Sequence, residues 1–155
     1  MVNGYDNYLI HDLIIDMTAS LKKVLSAIDD INQTDSNTTS VDGIEHPKEL
    51  IYGQRMSQCL AKHWFDASEL LQIAVRAQHI KRWHLKRTEF EQGKTGYYQW
   101  RIALGKFHGD LTASIMLECG YTTEQGEQTA AIIRKDLVRQ GKAKINDDSQ
   151  TLEDV

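Results

Sequence analysis

The stretch YYQWRIALGKFHGDLTASIMLECG, Tyr97 to Gly120, decides the fold. Trp100, Leu104, Phe107, Leu111 and Ile115 recur at steps of three and four, which lays one apolar stripe along a helix of about 3.6 residues per turn. Gly120 falls where a C′ glycine closes such a helix. A stripe of this length is stable only when other helices cover it, and the flanking sequence supplies them. Upstream, Leu9, Leu13, Met17, Leu21, Val24, Leu25 and Ile28 predict an amphipathic helix from Tyr8 to Ile31. A second should start at Pro47, whose ring suits the first helical position, with Tyr52, Met56, Cys59, Leu60 and Trp64 on one side. Ala67, Leu70, Leu71, Ala74 and Ala77 form the stripe of a third, with Asp66 as N-cap and Glu69 as its capping-box partner. Downstream, TTEQ from Thr122 is a capping box opening a helix to about Gln140, and TLEDV at the end reads as the start of another.

The segments between are Asn32–Gly43 (NQTDSNTTSVDG), read as a polar loop, and Glu91–Gly96 (EQGKTG), read as a break. Alternating strand patterns and internal repeats are absent. The expected architecture is all-α: a bundle of about five helices with essentially no β-sheet. It divides into an N-terminal helix and polar loop, residues 1–43, and a helical core, residues 44–155.

A chain of 155 residues is one domain's worth of length. Its net charge of −4 provides no global field for nucleic acid, so any basic site must be local. Cys59 and Cys119 belong to no CxxC pair, which excludes a zinc ribbon or a thioredoxin-type motif and leaves free thiols in a reducing cytosol. YLIHDLIID near the start is interrupted by His11 and Asp12 and lacks the flanks of a signal peptide. No run approaches the ~18 apolar residues of a membrane span. The expectation is a cytoplasmic protein with no membrane partner, its oligomeric state left open.

Chemistry is concentrated in LLQIAVRAQHIKRWHLKR, Leu70 to Arg87. If the third helix continues through it, Arg76, His79 and Trp83 share a face. Arg101 and His108 share a face of the next long helix, two turns apart. A lone histidine is more often a core-edge residue satisfied by hydrogen bonds than a ligand. Tyr97, Tyr98 and Trp100 read as core rather than as a base-stacking platform. The His11–Asp12 dipeptide reads as part of a solvated face, since dipeptides recur by chance.

Four segments carry a resemblance: HPKELIYGQRMSQCL from His46, ASELLQIAVRAQHIKRW from Ala67, TGYYQWRIALGKFHG from Thr95 and DSQTLEDV from Asp148. They are similar to an uncharacterised family of bacterial and fungal proteins known as a domain of unknown function, whose motifs run HPKELLYSQRM, AARAQHIRRW, GYLRWR, FHA and QTLEDV. Relatives continue beyond the last motif, so the chain is expected to be C-terminally truncated, without the family's last helices. Some relatives are labelled glutamyl-tRNA synthetase, but the chain has neither a HIGH nor a KMSKS signature and is too short for that catalytic fold.

More distantly, the order of YGQRM (Tyr52–Met56), AVRAQHI (Ala74–Ile80), His108 before Gly120, and Asp154 resembles the HD superfamily of metal-dependent phosphohydrolases. That resemblance implies an HD-like bundle acting on a nucleotide or other phosphorylated small molecule. A divalent ion of unspecified identity would activate water, with His79, His108, Asp154 and either Glu49 or His46 as ligands. Arg55, Arg76, Arg82 and Arg101 would grip phosphate through forked donors beside Trp83. Tyr52 stands where the superfamily has its first histidine, and Gln78–His79 where it has His-Asp. These departures give the rival reading, a catalytically degenerate, metal-free module that binds a nucleotide or another anion.

Overall fold

The computed structural model describes residues 5–142 and 147–155, with side chains from residue 19 onward. Seven α-helices follow in order: α1 (Tyr5–Asn32), α2 (Lys48–His63), α3 (Glu69–Ala77), α4 (Lys94–Glu118), α5 (Thr123–Arg134), α6 (Asp136–Arg139) and α7 (Asp148–Asp154). The side chains of His11 and Asp12 lie outside the described residues.

Helix α3 is the axis of the molecule because its sequence is apolar on more than one side. Leu71, Ile73, Ala74, Val75 and Ala77 are all buried, and a helix with this pattern must be surrounded. Val24 and Ile28 of α1, Leu60 of α2, Ile115 and Met116 of α4, Ile132 and Ile133 of α5 and Leu152 of α7 complete one continuous core around it. The N-terminus of α3 is pinned by its polar ends. Ser68 Oγ accepts from the Leu71 N–H at 3.1 Å and donates to Asp148 of α7 at 2.7 Å, while Tyr121 donates to Glu69 at 2.9 Å. Ser68, not Asp66, is therefore the cap.

Helices α4 and α5 approach most closely because both faces are made of small residues. A Cβ on Gly109 would lie 3.2 Å from both the Cβ and the carbonyl oxygen of Ala130, and one on Gly126 would lie 3.3 Å from the Cβ of Ala113. The turn between them carries its expected signals. Gly120 has φ +98°, the Tyr121 N–H donates to the Met116 carbonyl at 3.0 Å, and the Gly120 N–H donates to Leu117 at 3.3 Å, a Schellman closure. Thr122 and Gln125 then form the capping box that opens α5. That helix stops sooner than expected, at Arg134, where Lys135 adopts a left-handed conformation before the short α6.

Two further expectations are corrected. The Asn32–Gly43 segment is not wholly a loop: Thr38–Val41 (β1) pairs antiparallel with Ile44–Pro47 (β2), with Val41 opposite Ile44 and Thr39 opposite His46. Asp42 and Gly43 both have positive φ, +51° and +81°, as a two-residue hairpin turn requires, and Asp-Gly is the dipeptide that suits it. Helix α3 also ends at Ala77 instead of running through Trp83. Lys81 takes a left-handed conformation, φ 51° and ψ 37°, and a short 3-10 turn follows over Arg82–His84. Among the described residues, no helix is long and apolar enough to cross a membrane.

The α4–α5 contact leaves no room for a larger side chain. Gly109→Leu should destabilise the protein by about 2–3 kcal/mol through overpacking, lowering Tm by roughly 5–10 °C. A thermal melt unchanged from the native chain would show that the helices can separate without loss.

Candidate functional site

The turn after α3 is held by a residue 49 positions earlier. Asn32, 1% exposed at the end of α1, accepts the Lys81 N–H on its side-chain oxygen at 3.0 Å. This stabilises the left-handed turn that sends Arg82 back over His79. The start of α2 is fixed in a similar way. Pro47 occupies the N-cap position and offers no capping side chain, so the buried Asp35 carboxylate accepts the Glu49 N–H at 3.1 Å. Glu49, 6% exposed, thereby sits under His79.

These two devices fix a chain of three side chains. His79 Nδ1 lies 3.1 Å from Glu49 Oε2, and Arg82 Nη1 lies 3.1 Å from His79 Nε2. A guanidinium can only donate and a carboxylate can only accept, which assigns the tautomer: Nδ1–H donates to Glu49, and the Nε2 lone pair accepts from Arg82. Burial lowers the His79 pKa, the hydrogen bond to Glu49 opposes that, and the Arg82 charge adds to the lowering. The ring is therefore neutral at neutral pH. Tyr52 stacks on it at 3.8 Å between centroids and 7° between planes. Burial and then Glu49 raise the Tyr52 pKa, so the phenol keeps its proton. Arg82 also lies 5.1 Å from the Trp100 ring centroid, while Trp100 Nε1 donates to the Leu85 carbonyl at 3.0 Å.

This assembly forms one wall of a cleft of about 700 Å³. The opposite wall is α4, where Arg101, Leu104, Gly105 and His108 recur at steps of three and four, and the rim is Arg134, Lys135 and Arg139. His108 is 2% exposed, with its ring centroid 6.4 Å from that of His79. Burial first, then the neighbouring His79 and Arg82, push its pKa down to about 3, against the pull of the Gln78 backbone carbonyl. Its Nε2 is buried and has no hydrogen-bond partner.

Of the residues singled out from sequence, the structure brings His79, His108, Arg82 and Arg101 to this cleft, with Glu49 behind His79. The others are elsewhere. Arg76 forms a bidentate pair with Asp29 at 2.8 and 2.9 Å. Arg55 is exposed, Trp83 belongs to the 3-10 turn, and neither lines the cleft. His46 sits on β2, and Asp154 is exposed at the end of α7, where it accepts from Gln150 at 3.0 Å.

Tyr97 and Tyr98, read as core, are 41% and 53% exposed and line the mouth. Sequence reasoning missed Arg134, Lys135 and Arg139 on the rim, because only the α4–α5 packing carries them there. All three have acidic neighbours: Arg134 pairs with Glu127 and Asp136, Arg139 with Asp136, and Lys135 with Glu153.

The arrangement does not fit a divalent ion. Both ring nitrogens of His79 are engaged, and a guanidinium occupies the direction from which a metal would have to approach Nε2. No carboxylate is among the described residues that line the cleft. Among the described residues, no group of three or more His, Cys, Asp or Glu could hold a metal.

The model of one protein family, described as a domain of unknown function (DUF4202), matches residues 22–155. The chain belongs to that family. Neither a curated protein nor a solved structure matches it.

Both cleft imidazoles bind protons less readily folded than unfolded, so the unfolded chain takes up more protons as pH drops below about 6.5. Stability should be complete above that pH and fall as pH decreases towards 3, His108 contributing on the order of 2 kcal/mol of loss by pH 5. In urea titrations at pH 7.5 and 5.0, His108→Phe should show a clearly smaller loss than the native chain. Equal losses would mean that His108 is not held neutral.

Proposed function

We propose that the cleft is a metal-free site for a phosphorylated small molecule or a comparable anion. The observation that carries this reading is the Arg82 guanidinium on His79 Nε2. It puts a fixed positive charge where the rival reading, a metal-dependent phosphohydrolase, needs an ion. A cation already held at that point is matched by a ligand of opposite charge.

The surrounding charge supports the same reading. Arg82, Arg101, Arg134, Lys135 and Arg139 line the cleft, and no acidic residue is among its described lining residues, in a protein whose net charge is −4. A concave surface with one sign of charge concentrates counter-ions even when the whole molecule repels them. The rim cations are partly neutralised by Glu127, Asp136 and Glu153, which leaves Arg82 and Arg101 as the principal anchors. Among the contacts described, Arg101 makes only one hydrogen bond, a long one of 3.5 Å to the Tyr97 hydroxyl, so its fork is available. Arginine suits phosphate because its planar donors engage two oxygens at once. Arg82 is pre-oriented by His79 and Trp100, which reduces the entropy lost on binding.

Calorimetric titration of the full chain with inorganic pyrophosphate, in the presence of EDTA, tests this. Binding should persist in EDTA and weaken with added salt. Arg101→Ala should weaken it about tenfold, the scale of one hydrogen bond to a charged group. Arg55→Ala, outside the cleft, should leave it unchanged. Absence of binding, or binding that needs a stoichiometric divalent ion, would overturn the proposal.

A further inference from the structure

Resting on the reading of the cleft as an anion site, we infer that its ligand is an organic phosphate whose neutral end carries a hydroxyl or amino group that donates a hydrogen bond to His108 Nε2.

The argument begins with what His108 offers. The Gln78 backbone pulls the pKa of the ring up, as a carbonyl beside it would, and a carbonyl can only accept. Because Nε2 has no partner, the nitrogen at the carbonyl is Nδ1, which therefore carries the proton. In the neutral ring, Nε2 is then a bare lone pair. Nearly all buried polar atoms are paired, and leaving one unmade costs more than an average hydrogen bond returns. This buried nitrogen belongs to a residue lining the cleft, and a donor on a ligand seated against His108 is what would match it. The cations there cannot be that donor's charge partner on the ligand. They demand an anion, and the ionised phosphate oxygens that they hold accept instead of donating.

Depth separates the two demands. Arg101 and His108 are seven residues apart on the same face of α4, about 10 Å of helix rise. Arg101 is exposed at the mouth beside Tyr97 and Tyr98, whereas His108 is 2% exposed at the floor. Leu104 and Gly105 lie between them, so the intervening wall is apolar. An inorganic phosphate is too small to span Arg101 and His108, although Arg82, seated on His79, lies nearer the floor. A molecule with its anion at the arginines and its neutral, donor-bearing part against His108 satisfies each group once. The cleft volume of about 700 Å³ suits such a ligand.

Titrations of the full chain with inorganic pyrophosphate, ribose 5-phosphate, adenosine monophosphate and purine riboside monophosphate, which lacks the base amino group, test the inference. At least one organic phosphate should bind roughly fivefold to tenfold more tightly than pyrophosphate, the scale of one well-placed hydrogen bond. That advantage should vanish in His108→Phe while pyrophosphate affinity stays the same. A preference for adenosine monophosphate over purine riboside monophosphate would place the donor on the base. Equal binding of those two, with the advantage kept by ribose 5-phosphate, would place it on the sugar.

An advantage that survives His108→Phe, no advantage in the native chain, or an equal loss for pyrophosphate would each overturn the inference while leaving the anion site standing. No binding of pyrophosphate to the native chain would instead remove the anion site itself. The native chain also offers a test independent of the variant's folding. The Nε2 resonance of His108 in nitrogen NMR should move upfield on adding the tightest-binding organic phosphate and not on adding pyrophosphate; an unmoved resonance at saturation refutes the contact.

Discussion

Glu49 and His79 make their hydrogen bond where water gives little help. The carboxylate side chain is 8% exposed and the imidazole 24%, and an anion so placed is costly unless it is hydrogen-bonded. The bond therefore does more than join two residues. It puts the ring's proton on Nδ1, leaves Nε2 as an acceptor, and makes that acceptor a fixed seat for Arg82. The Arg82 charge reaches the cleft in one orientation because of a carboxylate that does not line the cleft at all. Removing Glu49 would release the tautomer, and with it the reason for the guanidinium to stay.

The placement of Glu49 and Arg82 depends on residues far away in sequence. Asp35 caps α2 in place of Pro47, and Asn32 sustains the left-handed Lys81 turn. Both lie at or just after the end of α1, beside the β-hairpin. The polar segment that separates α1 from α2 is thus a brace for both ends of the Glu49–His79–Arg82 chain. It works through buried side-chain acceptors on backbone donors, contacts that hold a turn where local propensity alone would not.

This explains how much could be read from sequence. The stripe on α4, the Gly120 closure and the Thr122–Gln125 capping box are local signals, and each appears where periodicity and cap chemistry place it. The end of α3 was not legible, because Gln78 to Trp83 contains good helix formers and the decisive acceptor, Asn32, is 49 residues away from Lys81. The hairpin had a visible signal in Asp42–Gly43, obscured by the polar, turn-rich residues preceding it. At the site, His79, His108, Arg82 and Arg101 could be named from their segments. Arg76 and Trp83 share a face with His79 only if α3 runs on past Ala77, where it ends. Arg134, Lys135 and Arg139 reach the rim through the close α4–α5 packing, a tertiary fact that the small residues permit but do not announce.

The two histidines divide the cleft by chemistry. His79 is saturated: one nitrogen gives to Glu49, the other takes from Arg82, and a face is covered by Tyr52. His108 keeps a lone pair at the floor. Their neutrality has a common physical source, since each is buried near the same cations and a proton on either would add to the positive charge already there. An anion seated on Arg82 would cancel part of that repulsion and raise the affinity of His79 for a proton, and by linkage protonation would favour the anion. The two effects oppose each other at the Arg82 contact, however, because a protonated Nε2 can no longer accept from the guanidinium. The neutral state is the one that keeps Arg82 in place, so the geometry favours an anion met by a fixed arginine over one met by a newly charged histidine.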